Sequence, residues 1–296
     1  MEGKIYGTTE LINDEQRTFT VFTKTQKRIF YMQRSMFNKL GKYLQPGHKI
    51  VVMAEGFKKT RDEKQVMIKH VLKIINPRRR KNKILYSQQI IENETKTFIN
   101  DLKTKMFLDL EMSMHPYRID KNFVQEIIQV GYIIVDERDQ VIERYQTYIK
   151  PTKHKTLTKR TLKFLDLTQD HVNNGIAFKQ FYEHFKDVIK RYNPAIIVWG
   201  KNDHLALRDA YKVNKLKTLA RRTRFVNLLQ LHKNVFMFKN DLGLLNAYKM
   251  YGYEALKDQR HDAYEDALMT RRVFNGFKKV LNQEYTIDFN AFPNIK

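Results

Sequence analysis

The chain has 296 residues, 42% of them hydrophobic, which is enough for about two domains with genuine cores. Its 55 Lys and Arg against 32 Asp and Glu leave a net charge of +23, so the expected partner is a polyanion, nucleic acid ahead of an anionic membrane. Zero cysteines exclude disulfides, thiolate metal sites and cysteine nucleophiles; no apolar run approaches the roughly 20 residues that span a bilayer, the first residues lack a signal-peptide core, and a cytoplasmic protein is expected.

Residues 1–76 carry strand signals at 4–8, 18–23, 27–31, 49–55 and 65–75, several with apolar positions at every second residue. A helix fits residues 35–44, with Ser35 as cap candidate, apolar spacing at Met36, Phe37, Leu40 and Leu44, and Pro46-Gly47 as its stop. Three strands, a helix and two strands is the order of a small five-stranded barrel that resembles the OB fold, and a nucleic-acid-binding domain is expected over 1–76. Phe19, Phe22, Phe30 and Tyr31 alternate with Lys24, Lys27, Arg28 and Arg34, a mixture suited to stacking bases and holding phosphates. The same aromatics also suit the core of a small barrel.

Pro77 and the run Arg78, Arg79, Arg80, Lys81 open a basic linker, a solvated connection or a phosphate contact. An amphipathic pattern at Ile90, Ile91, Phe98 and Leu102 makes the rest of 77–103 a connecting helix.

Residues 106–111, Met-Phe-Leu-Asp-Leu-Glu, read as a buried strand whose end emerges into a site. Side chains alternate along a strand, so Asp109 and Glu111 share a face, and two close carboxylates repel unless something neutralises them. A divalent cation with oxygen ligands, magnesium or manganese, is the simplest neutraliser; a solvated acidic turn is the alternative.

Strands at 126–135 and 141–149, joined by an acidic turn, complete a meander. Phe178, Phe181, Phe185, Val188, Ile189 and Tyr192 recur at helical spacing and predict a core-facing helix that Pro194 ends before a buried strand at 195–199. Asp203 falls where that strand gives way to a helix, as a site acid or an N-cap, with Asp209 as a lower-ranked rival inside the helix, two turns from the strand end. His261 and Asp266 open a last helix that runs through Val273, Phe277 and Leu281; Asp266 alone fits a first-turn acid that favours the helix dipole, and Asp262 and Glu265 compete with it for any metal. The basic stretch 212–224, with Lys215, Lys217, Arg221, Arg222 and Arg224, suits a phosphate strand or a solvated loop.

Asp109-x-Glu111, then Glu126-Ile-Ile-Gln-Val-Gly131, then Leu167-Thr168, Asp203 and His261-x-x-x-x-Asp266-Ala267 together resemble the DnaQ-like (DEDD) 3′-to-5′ exonucleases over residues 104–282. A histidine five positions before Asp266 is the DEDDh pattern; the sister branch wants a tyrosine four before, where this chain has Asp262.

The resemblance implies a ribonuclease H-like mixed α/β sheet flanked by helices over 104–285, after the OB-like barrel, with 286–296 as a tail. It implies two divalent ions held by Asp109, Glu111, Asp203 and Asp266, with His261 as general base, a role suited to a side chain that titrates near neutrality. Leu110 and Met112, flanking the acids, are expected to touch nucleic acid, as are Arg78 to Lys81. The substrate it implies is a single-stranded 3′ end of RNA or DNA. A non-catalytic binding protein that keeps the fold is the alternative, and His171, His184, His204 and His232 are assigned to surface or packing.

Overall fold

The computed structural model describes every residue except 1, 61–62, 79–80, 119–121, 220–222, 255–260 and 293–296. The chain divides into two compact units, residues 1–94 and 95–296.

In the first unit the strands are β1 Glu2–Asn13, β2 Thr18–Phe22, β3 Lys27–Tyr31, β4 Lys49–Lys59, β5 Lys64–Asn76 and β6 Lys83–Ser87, with the helix α1 Arg34–Leu40 between β3 and β4. They form one sheet in the order β3-β2-β1-β4-β5-β6, and a short parallel pairing of Phe30 with Val66 and Tyr31 with Met67 closes β1 to β5 into a barrel. The helix starts one residue before Ser35, with Gln33 at its cap and no side-chain cap bond. Residues 83–87, expected within the linker, instead extend the sheet by pairing antiparallel to β5, where the barrel offers a free edge.

The four aromatics divide. Phe19 and Phe30 stack at 5.9 Å inside the barrel, whereas Phe22 is 52% exposed and Tyr31 lies half-buried beneath Lys58 Nζ, 3.8 Å from its ring centre. Strand alternation explains the split, because inward and outward positions interleave.

The second unit is built on β7 Lys105–Met112, β8 Ile127–Val135, β9 Val141–Lys150, β10 Ile176–Ala177, β11 Ala195–Val198 and β12 Arg224–Asn227, in the order β10-β9-β8-β7-β11-β12. β7, β8 and β9 form the antiparallel meander, β11 runs parallel to β7, and β12 runs parallel to β11. The helices are α2 Gln88–Asn100, which leads into the unit, α3 Lys159–Leu165, α4 Gln169–Asn173, α5 Phe178–Tyr192, α6 Asn202–Val213, α7 Leu228–Phe236, α8 Leu244–Met250 and α9 Ala263–Leu281. This is the mixed sheet covered by helices that the sequence implies.

Two cores lie on opposite faces of the sheet. Met106, Leu108 and Leu110 of β7 pack with Phe181, Phe185 and Leu207 in one. Phe107 packs with Val273, Phe274 and Phe277 in the other, its ring edge-on to Phe274 at 5.4 Å. β8 is buried along its whole length, as a strand covered on both faces must be.

Candidate active site

The face of β7 that carries Phe107 changes character within two residues, because the alternation that sends Leu108 and Leu110 into one core places Asp109 and Glu111 after Phe107 on the other side. That side is covered by α9, whose buried positions Ala263, Asp266, Ala267, Thr270, Val273, Phe274 and Phe277 follow the helical repeat. Asp266 therefore takes an inward position that the helix's packing fixes.

How close α9 comes is decided at Gly131. It pairs with Asp109 across β7 and β8, and a Cβ there would lie 2.2 Å from Tyr264 N and 2.3 Å from the Ala263 carbonyl carbon. Only a glycine lets the helix backbone rest on the strand, so the Gly131 of the sequence motif is a spacing element between the β7 acids and Asp266.

The start of α9 is held by Asp262. Its Oδ1 accepts from Tyr264 N and Glu265 N at 3.0 Å each, and its Oδ2 accepts from Gln129 Nε2 at 2.6 Å and Gln146 Nε2 at 2.8 Å. Both oxygens are spent on the cap and the sheet, which removes Asp262 as a rival of Asp266. Glu265 is exposed in the first turn.

Asp203 enters from α6. It is not the cap, since Lys201 occupies that position; the side chain is 4% exposed and its Oδ1 accepts from Leu110 N at 3.1 Å, which ties the helix start to the middle of the acid-bearing strand. Asp209 is half exposed and paired with Arg208 and Lys212, and it takes no part in the cluster.

Crowding like charges out of water raises their proton affinity. Asp109 is held well above the usual carboxylate range by burial and by the charges of Asp203, Asp266, Glu111 and Asp262. Glu111 is pushed up to about 8 by burial, with Asp266 and Asp203 adding, and Asp203 to about 7 by burial, against which its own N–H and that of Leu110 work. Glu111, His261 and Asp266 offer ligand atoms that all lie within 4.8 Å of one another, with His261 Nδ1 3.8 Å from Asp266 Oδ2. Buried carboxylates that cannot all ionise together, with a donor set this tight, fit a divalent cation.

The structure thus gathers Asp109, Glu111, Asp203, His261 and Asp266. Leu110 lies apart from them: its side chain is 3% exposed in the opposite core and its N–H is taken by Asp203, so burial corrects the expectation that its side chain touches nucleic acid. Met112 is half-buried at the strand end, Arg78 and Lys81 are exposed, and Arg79, Arg80, Arg221 and Arg222 lie outside the described residues. Arg224 sits 4.9 Å over the Phe98 ring. The four histidines assigned to surface or packing do pack: His232 is buried between the Leu228 carbonyl and the Tyr251 hydroxyl, and His171, His184 and His204 stack on Tyr148, Tyr145 and Phe225.

The sequence marks Glu126 only as the start of a motif and does not single out Phe164. Glu126 accepts from the backbone N–H groups of Thr152, Lys153 and His154, holding the loop after β9. Phe164 stacks on His261, and nothing in its local helical pattern sets it apart from its neighbours.

Carboxylates from a strand and two helices thus converge beside a histidine on a mixed sheet. A family model described as Exonuclease (RNase_T) matches residues 106–274, and the chain belongs to this family. The probable 3′-5′ exonuclease KapD of Bacillus subtilis strain 168 is 30% identical over 170 residues, which cover 57% of this chain and 82% of KapD. The nuclease domain of 3′hExo, a DEDDh family member solved with rAMP, has the same fold at a TM-score of 0.52 and 16% identity, over 64% of this chain and 97% of that domain. Cell-death related nuclease 4 (CRN-4) superposes at 0.51 and 19% identity, over 63% of this chain and 67% of its own.

Proposed function

We propose that the protein removes nucleotides from single-stranded 3′ ends of RNA or DNA by metal-dependent hydrolysis, with Asp109, Glu111, Asp203 and Asp266 as ligands of two divalent ions and His261 as general base. The observation that carries the reading is the convergence of acids from β7, α6 and α9 beside His261, with Glu111, Asp203 and Asp266 buried and the proton affinity of Glu111 and Asp203 raised by that burial and by the charge of Asp266. When bound, magnesium or manganese ions would lower the pKa of the attacking water and offset the charge on the departing 3′ oxygen.

The chain's own side chains do the rest. Asp203 fixes the strand and helix against each other, and Gly131 sets the distance between the β7 acids and Asp266. His261 is about half exposed, with Nδ1 facing Asp266, which leaves Nε2 to take a proton from water.

The barrel suits the capture of the same strand. A surface groove of about 510 Å³ brings Ile29 and Phe57 together with Lys27, Arg28 and Lys64, and exposed Phe22 pairs with Lys27 across β2 and β3. Apolar faces for bases beside cations for phosphates are what a single strand needs. Among the described residues no helix is long and apolar enough to cross a membrane, and a cytoplasmic location fits a chain without cysteine.

Purified protein is incubated with 5′-labelled and 3′-labelled single-stranded RNA and DNA, with magnesium or manganese and then with chelator. A ladder that shortens from the 3′ end, stops on chelation and is missing in Asp109→Ala is the expected result. Strands that are retarded in a gel but uncut would establish a binding protein instead, and the same panel ranks RNA against DNA.

A further inference from the structure

We propose that Phe164 is a positioning residue for His261, its ring setting the plane of the imidazole that takes the proton; this rests on His261 being the general base. The two rings are parallel to within 18°, with centroids 4.4 Å apart. His261 otherwise has Asp266 Oδ2 at 3.8 Å from Nδ1, a contact that restrains one ring atom and leaves rotation about the Cβ–Cγ bond loose. The backbone one residue on is pinned, since Asp262 is tied to Gln129, Gln146 and the first turn of α9. A flat surface against the imidazole removes the remaining freedom.

Phe164 has the support such a role requires. It is 49% exposed, although the next residue, Leu165, is buried with Ile128, Leu157 and Val172 and holds that end of α3 in place. Thr158 caps α3 through Thr161 N, the Thr158 hydroxyl donates to the Met114 carbonyl, and Met114 N donates to the Thr161 hydroxyl. The helix is therefore fastened to the segment that leaves β7 just after Glu111, and a half-exposed apolar ring on a fixed helix end is set against His261 beside the acids. A displaced imidazole costs rate, because a general base acts only within hydrogen-bond reach of the proton it removes.

The test measures kcat and KM of the full chain on a 5′-labelled single-stranded oligonucleotide with magnesium. Phe164→Ala is expected to lower kcat roughly tenfold with KM within about twofold, and Phe164→Tyr to restore it. In a His261→Ala background, Phe164→Ala is expected to change nothing further. Phe164→Leu keeps the bulk without the ring and guards against a folding defect; its kcat should fall with an unchanged melting temperature. A rise in KM at constant kcat, an equal loss in the His261→Ala background, or full activity of Phe164→Leu would each overturn the proposal. If His261→Ala itself retains full activity, the general-base reading fails first; if it is inactive while Phe164→Ala is normal, only the positioning role fails.

Discussion

The two units handle charge in opposite ways. Residues 1–94 hold 20 Lys and Arg against 9 Asp and Glu, and the remaining 202 hold 35 against 23, so the barrel carries about twice the positive excess per residue. The barrel spreads its cations over an outer surface, in places directly over aromatic rings, as with Lys58 on Tyr31 and Lys64 on Phe57. The α/β unit does the reverse at its centre and buries like charges together. Surface cations wait for a polyanion at little cost in stability, whereas buried acids of one sign destabilise the fold until a cation or a proton arrives.

The largest effect is expected at Asp109. Asp109→Asn should lower kcat by roughly 10³ while raising the melting temperature of metal-free protein, since it removes a carboxyl whose charged form is disfavoured by burial and by four other acids. Lower stability together with lower activity would mean that the acids are not in mutual repulsion.

Next in size is Gly131→Ala. Its Cβ meets backbone rather than flexible side chain, so α9 must shift, and a loss of about 1–3 kcal/mol in stability with near-complete loss of activity is expected in denaturant and rate measurements.

The pH dependence follows from the sign of the shifts. Glu111 goes from 4.5 to about 8 and Asp203 from 3.8 to about 7 on folding, so each is ionised in the unfolded chain at a pH where the fold prefers it protonated. The destabilisation is absent below the lower values, grows as pH rises between the two, and is complete above about 8. Magnesium or manganese should therefore raise the melting temperature more at pH 8.5 than at pH 5.5, and an equal rise at both would remove these acids from the binding site.

Smaller effects belong to the barrel. Phe22→Ala is expected to raise KM about tenfold on long single strands, in line with ~1–3 kcal/mol for one stacked base, without changing kcat or turnover of dinucleotides. Last, Asp209→Ala should leave activity intact and stability within about 0.5 kcal/mol, because its partners are surface cations.

Much of this arrangement is legible in the sequence because it is local. Period two places Asp109 and Glu111 together, and the helical repeat of Val273 and Phe277 extends back to Asp266. What stays hidden depends on distant partners. Asp262 and Asp266 look alike in one dimension, and only Gln129 and Gln146, more than a hundred positions away, show which is the cap. Asp203 reads as a helix cap until Leu110 N is seen beside it. The strand at Lys83–Ser87 is short and half polar, and pairing with β5, not its own pattern, makes it a strand. Phe164 and His261 are 97 positions apart and meet only in the folded chain.

The bond from Leu110 N to Asp203 Oδ1 gives one carboxylate a mechanical duty beside its charge. A carboxylate offers about four lone pairs, so accepting from the strand leaves acceptor capacity over. An amide at this position would keep the acceptor that fastens helix to strand and surrender the charge, so Asp203→Asn separates the fastening from the anion within one side chain.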